Sequence, residues 1–303
     1  MKLNDWIEIW AQTSFVNIKE RSHDVYNYYL TFHILERLGN LQVEEISQET
    51  LQSYVSSLAL GDKCFSSNTI AESFRVLKAC LLDYYEKYDI KPVKFKGVKI
   101  PTTTRRKIRC FTEGEQRRIE NRVNLVRNPS EIGVLVSLYT GLRLGEVLAL
   151  TWNDVDFGKN LIYIDKALYY KGKQIVISTP KTPSSIRVIP IPQFLLVLLR
   201  ESKKHAVGEY VVADKLGLPI IPRTYQYRFY ALLKRARVER RGFHSLRHTF
   251  ATRALECGMD VKSLADVLGH ANPVVTLKRY AHSMLDYKKT MMNKIGKLYS
   301  REY

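Results

Sequence analysis

Between Phe243 and Tyr280 the chain places His244, Arg247, His270 and Tyr280 in one short stretch. These are side chains of phosphate chemistry: a guanidinium offers forked donors to phosphate oxygens, an imidazole moves protons near neutral pH, and a phenol can be made a nucleophile. His244 and Arg247 are three apart and share a helical face, with Leu246, Phe250 and Leu255 on the opposite one. Gly258 ends that helix, and Asp260 caps the next, which buries Val261, Leu264, Val267 and Leu268 before Gly269 and His270. Asn272-Pro273 opens a third helix that carries Tyr280. Taken singly, either histidine reads as a satisfied core residue; together with the arginine and the tyrosine they read as part of a phosphodiester site. The remaining charges and the grip on nucleic acid have to come from elsewhere in the sequence.

The composition supplies the grip. Among 303 residues, 48 Lys and Arg stand against 30 Asp and Glu, a net charge of +18 that points to a polyanionic partner, nucleic acid before membrane. Cys64, Cys80, Cys110 and Cys257 lie far apart, so neither a zinc site nor a disulfide framework is suggested, and a reducing cytoplasm fits. No signal-peptide core follows Met1. The most apolar long stretch, Ile132 to Leu150, is interrupted by Arg143 and Glu146, so no membrane partner is expected.

The elements that must position these residues fall into two domains. From Asn4 to about Ile90 apolar residues recur at three and four in four segments, headed by Trp6, by a Val25–Tyr29–Phe32–Leu35–Leu38 stripe, by Ser47 and by Ser66 or Ser67, which reads as a small helical bundle over residues 1–90. Its aromatic rings read as core. Residues 91–110 have no helical period, carry eight positive charges without an acid, and read as a basic interdomain linker able to lie along phosphates. The second domain, 111–303, opens with Thr112 and Glu115 at capping-box spacing. In it Arg143 and Glu146 lie three apart on one helical face, a pattern that a plain surface ion pair explains equally well. Leu161–Ile164, Gln174–Ser178 and Ser185–Ile189 then read as three antiparallel strands, with Lys181 at the tip between the last two. Helices resume at Pro192 and near Tyr225 to Arg237, the interval from Gly208 to Pro222 being ambiguous.

Arg143 in T-G-L-R-L-G-E, Lys181 in P-K-T-P-S-S-I-R-V-I-P, His244 and Arg247 in H-S-L-R-H, His270 in L-G-H and Tyr280 ten residues further together resemble the tyrosine recombinase, or phage integrase, family. The resemblance covers the chain from about Thr112, and the helical first domain is similar to the core-binding, SAM-like DNA-binding domain of that family. It implies a mainly α fold with a small antiparallel β-sheet, in which the core-binding domain and an α+β catalytic domain form a C-shaped clamp on DNA.

The resemblance also implies a reaction: a site-specific recombinase that cuts and rejoins DNA through a 3′-phosphotyrosine, with chemistry like that of type IB topoisomerases and without metal or cofactor. Tyr280 is then the nucleophile, Arg143 and Arg247 bind the phosphate oxygens, Lys181 protonates the departing 5′ oxygen, His244 assists proton transfer, His270 hydrogen-bonds the phosphate, and Glu146 supports the site. Implied partners are double-stranded recombination sites and three further copies of the chain in synapsis, joined by exchange of the amphipathic C-terminal helix that carries Leu285, Met292, Ile295 and Leu298, with room left for accessory DNA-bending proteins. The helical domain starts almost at Met1, which leaves no room for an additional arm-binding domain. Integrase of a phage or mobile element, chromosome-dimer resolvase, catalytically silent architectural protein and relaxing topoisomerase all remain as readings.

Overall fold

The computed structural model describes residues 1–15, 20–61, 63–102, 109–172, 174–179, 183–280, 289 and 291–296. The chain divides into two compact units, Met1–Lys107 and Ile108–Tyr303.

The first unit packs α1 (Leu3–Ser14), α2 (Glu20–Tyr29), α4 (Gln48–Leu60) and α5 (Ser67–Lys87) around one core. The caps read from sequence are present: Ser47 Oγ accepts from the Thr50 N–H at 3.2 Å and Ser66 Oγ from the Thr69 N–H at 3.2 Å, each satisfying a donor that the first helical turn leaves open. Trp6, Tyr54, Phe74 and Tyr84 are core, as their helical spacing predicts. The expected stripe holds at Leu38 but not at Val25 and Phe32, which are exposed while Leu30, His33 and Ile34 are buried. A π-helical segment, Leu30–Leu35, follows α2 and leads into the short α3 (Glu36–Leu38), and Tyr26, Tyr29, Leu30, His33, Ile34 and Leu38 share the inward face. The segment expected to be linker lies on this unit as far as Ile100: Val98 is buried in the core, and the Gln52 amide accepts from the Lys99 N–H at 2.7 Å. Residues 103–108 of it lie outside the described residues.

In the second unit, α6 (Glu113–Arg122) starts at the expected reciprocal cap, with Thr112 N–H donating to Glu115 at 2.8 Å and Glu115 N–H to Thr112 Oγ1 at 3.2 Å. The centre of the core is α7 (Ile132–Thr140), buried on nearly every side, with α8 (Leu144–Ala149), α9 (Gln193–Lys204), α10 (Pro222–Arg235) and α11 (His244–Glu256) around it. The ambiguous interval before α10 is an irregular segment whose Val211, Val212 and Ile220 join that core.

The strands are arranged differently from the three-stranded meander the sequence suggests. β1 (Val155–Asp156), β2 (Leu161–Ile164) and β5 (Arg187–Pro190) form one antiparallel sheet in the order β1-β2-β5, while β3 (Ala167–Lys171) and β4 (Gln174–Ser178) form a separate hairpin. The two strands that flank Lys181 in sequence, β4 and β5, are therefore not paired with each other; 180–182 themselves lie outside the described residues. The register Ile164↔Arg187 and Ile162↔Ile189 matters for the site. Alternation along β5 places Arg187 in phase with buried Ile189, so an arginine occupies an inward strand position.

Two short helices complete this unit. α12 (Val261–Leu268) is capped by Asp260, whose carboxylate accepts from the Lys262 and Ser263 N–H groups at 2.9 Å, and ends at Gly269 in the left-handed conformation. α13 (Pro273–Tyr280) follows, with Asn272 Oδ1 accepting from the Val274 N–H at 2.8 Å. Of the tail, residues 289 and 291–296 are helical, with Met292 and Ile295 exposed. No helix among the described residues is long and apolar enough to cross a membrane.

Candidate active site

The site is built at the C-terminal end of α12, where three arginines from three different elements take hold of three successive backbone carbonyls. Arg187, at the head of β5, donates its Nε–H to Val267 O at 2.6 Å; Arg247, in the first turns of α11, donates Nη2–H to Leu268 O at 2.6 Å; Arg143, at the N-cap of α8, donates Nη2–H to Gly269 O at 3.2 Å. The last carbonyls of a helix have no partner within it and form the negative end of its dipole, so cations are favoured there. His270 follows directly on the three carbonyls that the arginines hold.

Two glycines permit this convergence. Gly141 ends α7 at φ +70°, and a Cβ there would lie 2.6 Å from Phe250 and 2.8 Å from Leu268. Its carbonyl accepts from Arg247 Nη1 at 2.8 Å, so Arg247 caps the ends of α7 and α12 at once. Gly269, at φ +63°, turns the chain after α12; a Cβ there would meet Ser184 O at 3.1 Å and the Arg187 side chain at 3.2 Å.

Glu146 is the carboxylate that balances this charge. It is 4% exposed, and it is the third residue of α8, from where Oε2 accepts the Arg143 backbone N–H at 2.8 Å as a helix cap does. Oε1 accepts Arg143 Nη1 at 2.7 Å, while Arg187 Nη1 and Nη2 close on the two oxygens at 3.1 and 2.9 Å. The surface ion pair that the sequence also allowed is therefore replaced by a buried carboxylate saturated with four donors. Burial by itself pushes its pKa up, but the hydrogen bonds and charge of Arg187, then the charge of Arg143, outweigh it and hold the group at about 2.

Arg247 is only 2% exposed. Its Nη2 also lies 2.9 Å from His270 Nε2, and because a guanidinium cannot accept, Nε2 must be the acceptor and Nδ1 must carry the proton. Nδ1–H is 2.6 Å from Thr276 Oγ1, a fully buried hydroxyl on α13. Thr276 and Tyr280 belong to the same helix four residues apart, so the chain Arg247–His270–Thr276 runs from α11 to the helix that carries the candidate nucleophile.

Of the residues singled out in the sequence, Arg143, Glu146, Arg247 and His270 thus form one connected cluster. His244 is the first residue of α11, exposed, one turn before Arg247, with its ring 4.5 Å from that of His248 at 85°. Tyr280 closes α13, and its side chain, like Lys181, lies outside the described residues. Arg187 and Thr276 are additions. The alternation of Arg187 with Ile189 was the available signal for the first, and the four-residue spacing from Tyr280 for the second. Arg143 is the most open of the three arginines, its side chain 36% exposed beside Arg187 at 6%.

Such a cluster can bind a tetrahedral anion through guanidinium donors held by the protein in advance, which costs no reorganisation when charge develops. Comparisons with known proteins bear on the fold and the family. The solved integrase of the Tn1549 transposon in complex with circular intermediate DNA superposes with a TM-score of 0.82 at 21% identity, over 97% of this chain and 99% of that one, and so shares its fold. A lambda integrase tetramer bound to a Holliday junction superposes with a TM-score of 0.71 at 16% identity, over 92% of this chain and 77% of that one. In sequence, the chain is 28% identical to a XerC-like tyrosine recombinase of Caldanaerobacter subterraneus subsp. tengcongensis, over 90% of this chain and 76% of that protein. It is 31% identical to the transposase of transposon Tn916 of Enterococcus faecalis, over 54% of this chain and 45% of that longer protein. Residues 2–59 match the N-terminal SAM-like domain of phage integrases, and residues 115–286, more than half of the chain, match the phage integrase family itself. The chain that folds around the end of α12 in this way is a member of the phage integrase family, the tyrosine recombinases.

Proposed function

We propose that this protein is a site-specific recombinase that cleaves and rejoins DNA strands through a 3′-phosphotyrosine and serves the integration and excision of a mobile element. The observation that carries the reading is the cluster at the end of α12, where Arg143, Arg247 and His270 meet beside the helix that ends in Tyr280.

The scissile phosphate lies between the guanidinium groups of Arg143 and Arg247, whose fixed forks bind its non-bridging oxygens as negative charge builds there. The Tyr280 oxygen attacks phosphorus in line with the 5′ oxygen, and His244 takes part in removing the phenol proton. As the bond from phosphorus to the 5′ oxygen breaks, Lys181 protonates the leaving oxygen. The strand is left as a 3′-phosphotyrosyl ester with a free 5′ hydroxyl. Attack of a 5′ hydroxyl from a partner strand on that ester reverses the step, restores Tyr280 and conserves the number of phosphodiester bonds. Glu146 holds the Arg143 fork in place and takes no part in bond making. His270 holds Arg247 before DNA arrives and hydrogen-bonds the phosphate once it is bound.

In this reading the substrate is a pair of double-stranded sites bound by both units, with the 91–110 segment along the phosphates. Four copies assemble on two duplexes, joined by exchange of the C-terminal helix, whose exposed Met292 and Ile295 have the apolar character such a contact needs. Accessory DNA-bending proteins are compatible with this assembly, and the reaction takes place in the cytoplasm.

The test is to incubate the purified protein with plasmids carrying a library of candidate sites and to sequence the products. Recombinant junctions with no net loss of phosphodiester bonds are the expected result. Supercoil relaxation without joining of two sites, or binding without any strand breakage, would replace the proposal by a topoisomerase or by an architectural protein.

A further inference from the structure

Arg187 has no part in the reaction just described, yet it is among the most constrained side chains in the second unit. It is 6% exposed and uses four of its five N–H groups inside the protein: Nε on Val267 O at 2.6 Å, Nη1 on Glu146 Oε1 at 3.1 Å and on Ser185 O at 3.0 Å, and Nη2 on Glu146 Oε2 at 2.9 Å. A guanidinium engaged in this way has little left to offer a phosphate. What it does instead is join three pieces of chain distant in sequence. Ser185 and Arg187 itself follow Lys181 in sequence; Glu146 carries Arg143; and Val267 lies three residues before His270, next to the carbonyls that hold Arg247 and Arg143.

We propose that Arg187 is a positioning residue for strand cleavage: it fastens the chain after Lys181, the Glu146–Arg143 pair and the end of α12 into one unit, so that Arg143 and His270 meet the phosphate in a fixed register. This rests on the recombinase reading above. The fork is what the position requires. A lysine would keep the positive charge opposite Glu146 but has no planar pair of donors for the two carboxylate oxygens, and it could not reach Val267 O from the same head group. Arg143 would then be held only by its own contacts to Glu146 and Gly269. Reacting groups displaced by about 1 Å can lose on the order of a hundredfold in rate.

The variants to compare are Arg187→Lys, which keeps a charge opposite the buried carboxylate, and Arg187→Gln, which does not. The probe is a nicked duplex carrying a site that the wild-type protein selects from a random library, on which cleavage traps the covalent protein–DNA adduct. Three quantities are measured for each protein: DNA affinity, the rate of adduct formation at saturating DNA, and the melting temperature. We expect Arg187→Lys to melt within a few degrees of wild type, to bind the duplex within about twofold, and to form the adduct about a hundredfold more slowly, with a larger loss of rate in Arg187→Gln. The inference is overturned if Arg187→Lys forms the adduct within about twofold of the wild-type rate, or if its rate falls only in proportion to a loss of folding or of DNA affinity. Failure of the recombinase reading looks different, since the wild-type protein itself would then form no adduct on any duplex it binds.

Discussion

Glu146 shows how much a single buried carboxylate contributes here. Its pKa is about 2 in the folded chain against an ordinary 4.5. A group depressed in the folded state stabilises it above the unfolded pKa and loses that contribution as pH falls through the folded value, a difference on the order of 3 kcal/mol here. Melting curves should therefore show wild type losing stability between pH 4.5 and 2 relative to Glu146→Gln, whose amide does not titrate. Parallel curves for the two proteins over that window would contradict the buried four-donor arrangement. Thr276 acts through geometry instead of charge. Thr276→Val removes the hydroxyl that bonds His270 Nδ1 to α13, and should slow adduct formation by about ten- to a hundredfold while leaving DNA affinity unchanged; an unchanged rate would mean that the His270–Thr276 bond does not position α13. The types and order of Arg143, Glu146, Arg247 and His270 were legible in the sequence because each sits in a short motif. Arg187 and Thr276 were not, because their importance lies in which backbone carbonyl or ring they reach, and only the strand register and the helix packing decide that.

Helix ends carry much of the arrangement. α7 and α12 both finish on glycines in the left-handed region, and Arg247 spans the two. Replacing Gly141 by alanine adds backbone strain of roughly 1–2 kcal/mol and a methyl group within 2.6 Å of Phe250. Thermal unfolding of Gly141→Ala should fall by at least several degrees, with adduct formation lost in parallel; a melting temperature equal to that of wild type would show that the close packing of α7 on α11 and α12 is not needed. Helix caps at Ser47, Ser66, Thr112 and Asp260 were legible, since a capping side chain acts on its own neighbours. The π-helical segment after α2 was not, because a wider hydrogen-bonded turn leaves no mark on the residue types that form it. Strand partners were likewise hidden. Gln174–Ser178 and Arg187–Pro190 read as neighbours in sequence, but β4 pairs with β3 and β5 with β2. Pairing of strands is decided by packing beyond the strand itself.

For the whole molecule, the charge of +18 sets how it meets DNA. Binding to a single site should be strongly salt dependent. If about six phosphates are neutralised, affinity should fall on the order of a thousandfold between roughly 50 and 200 mM salt, and a flat titration would rule out phosphate contacts as the main source of affinity. Removing residues 284–303 should leave single-site binding intact and weaken the pairing of two sites, because the tail carries the exposed apolar residues Met292 and Ile295; undiminished recombination by the shortened chain would exclude subunit exchange through this helix. A helical first unit and a mixed second unit were legible from the change in hydrophobic period, and both units have their own core. The central claim concerns one bond. Trapping the protein on a nicked duplex and digesting the complex for mass spectrometry should yield a peptide joined through Tyr280 to a 3′ phosphate, and Tyr280→Phe should bind the same duplex but give no such peptide. A covalent DNA link found on another residue, or one that persists in Tyr280→Phe, would contradict the account.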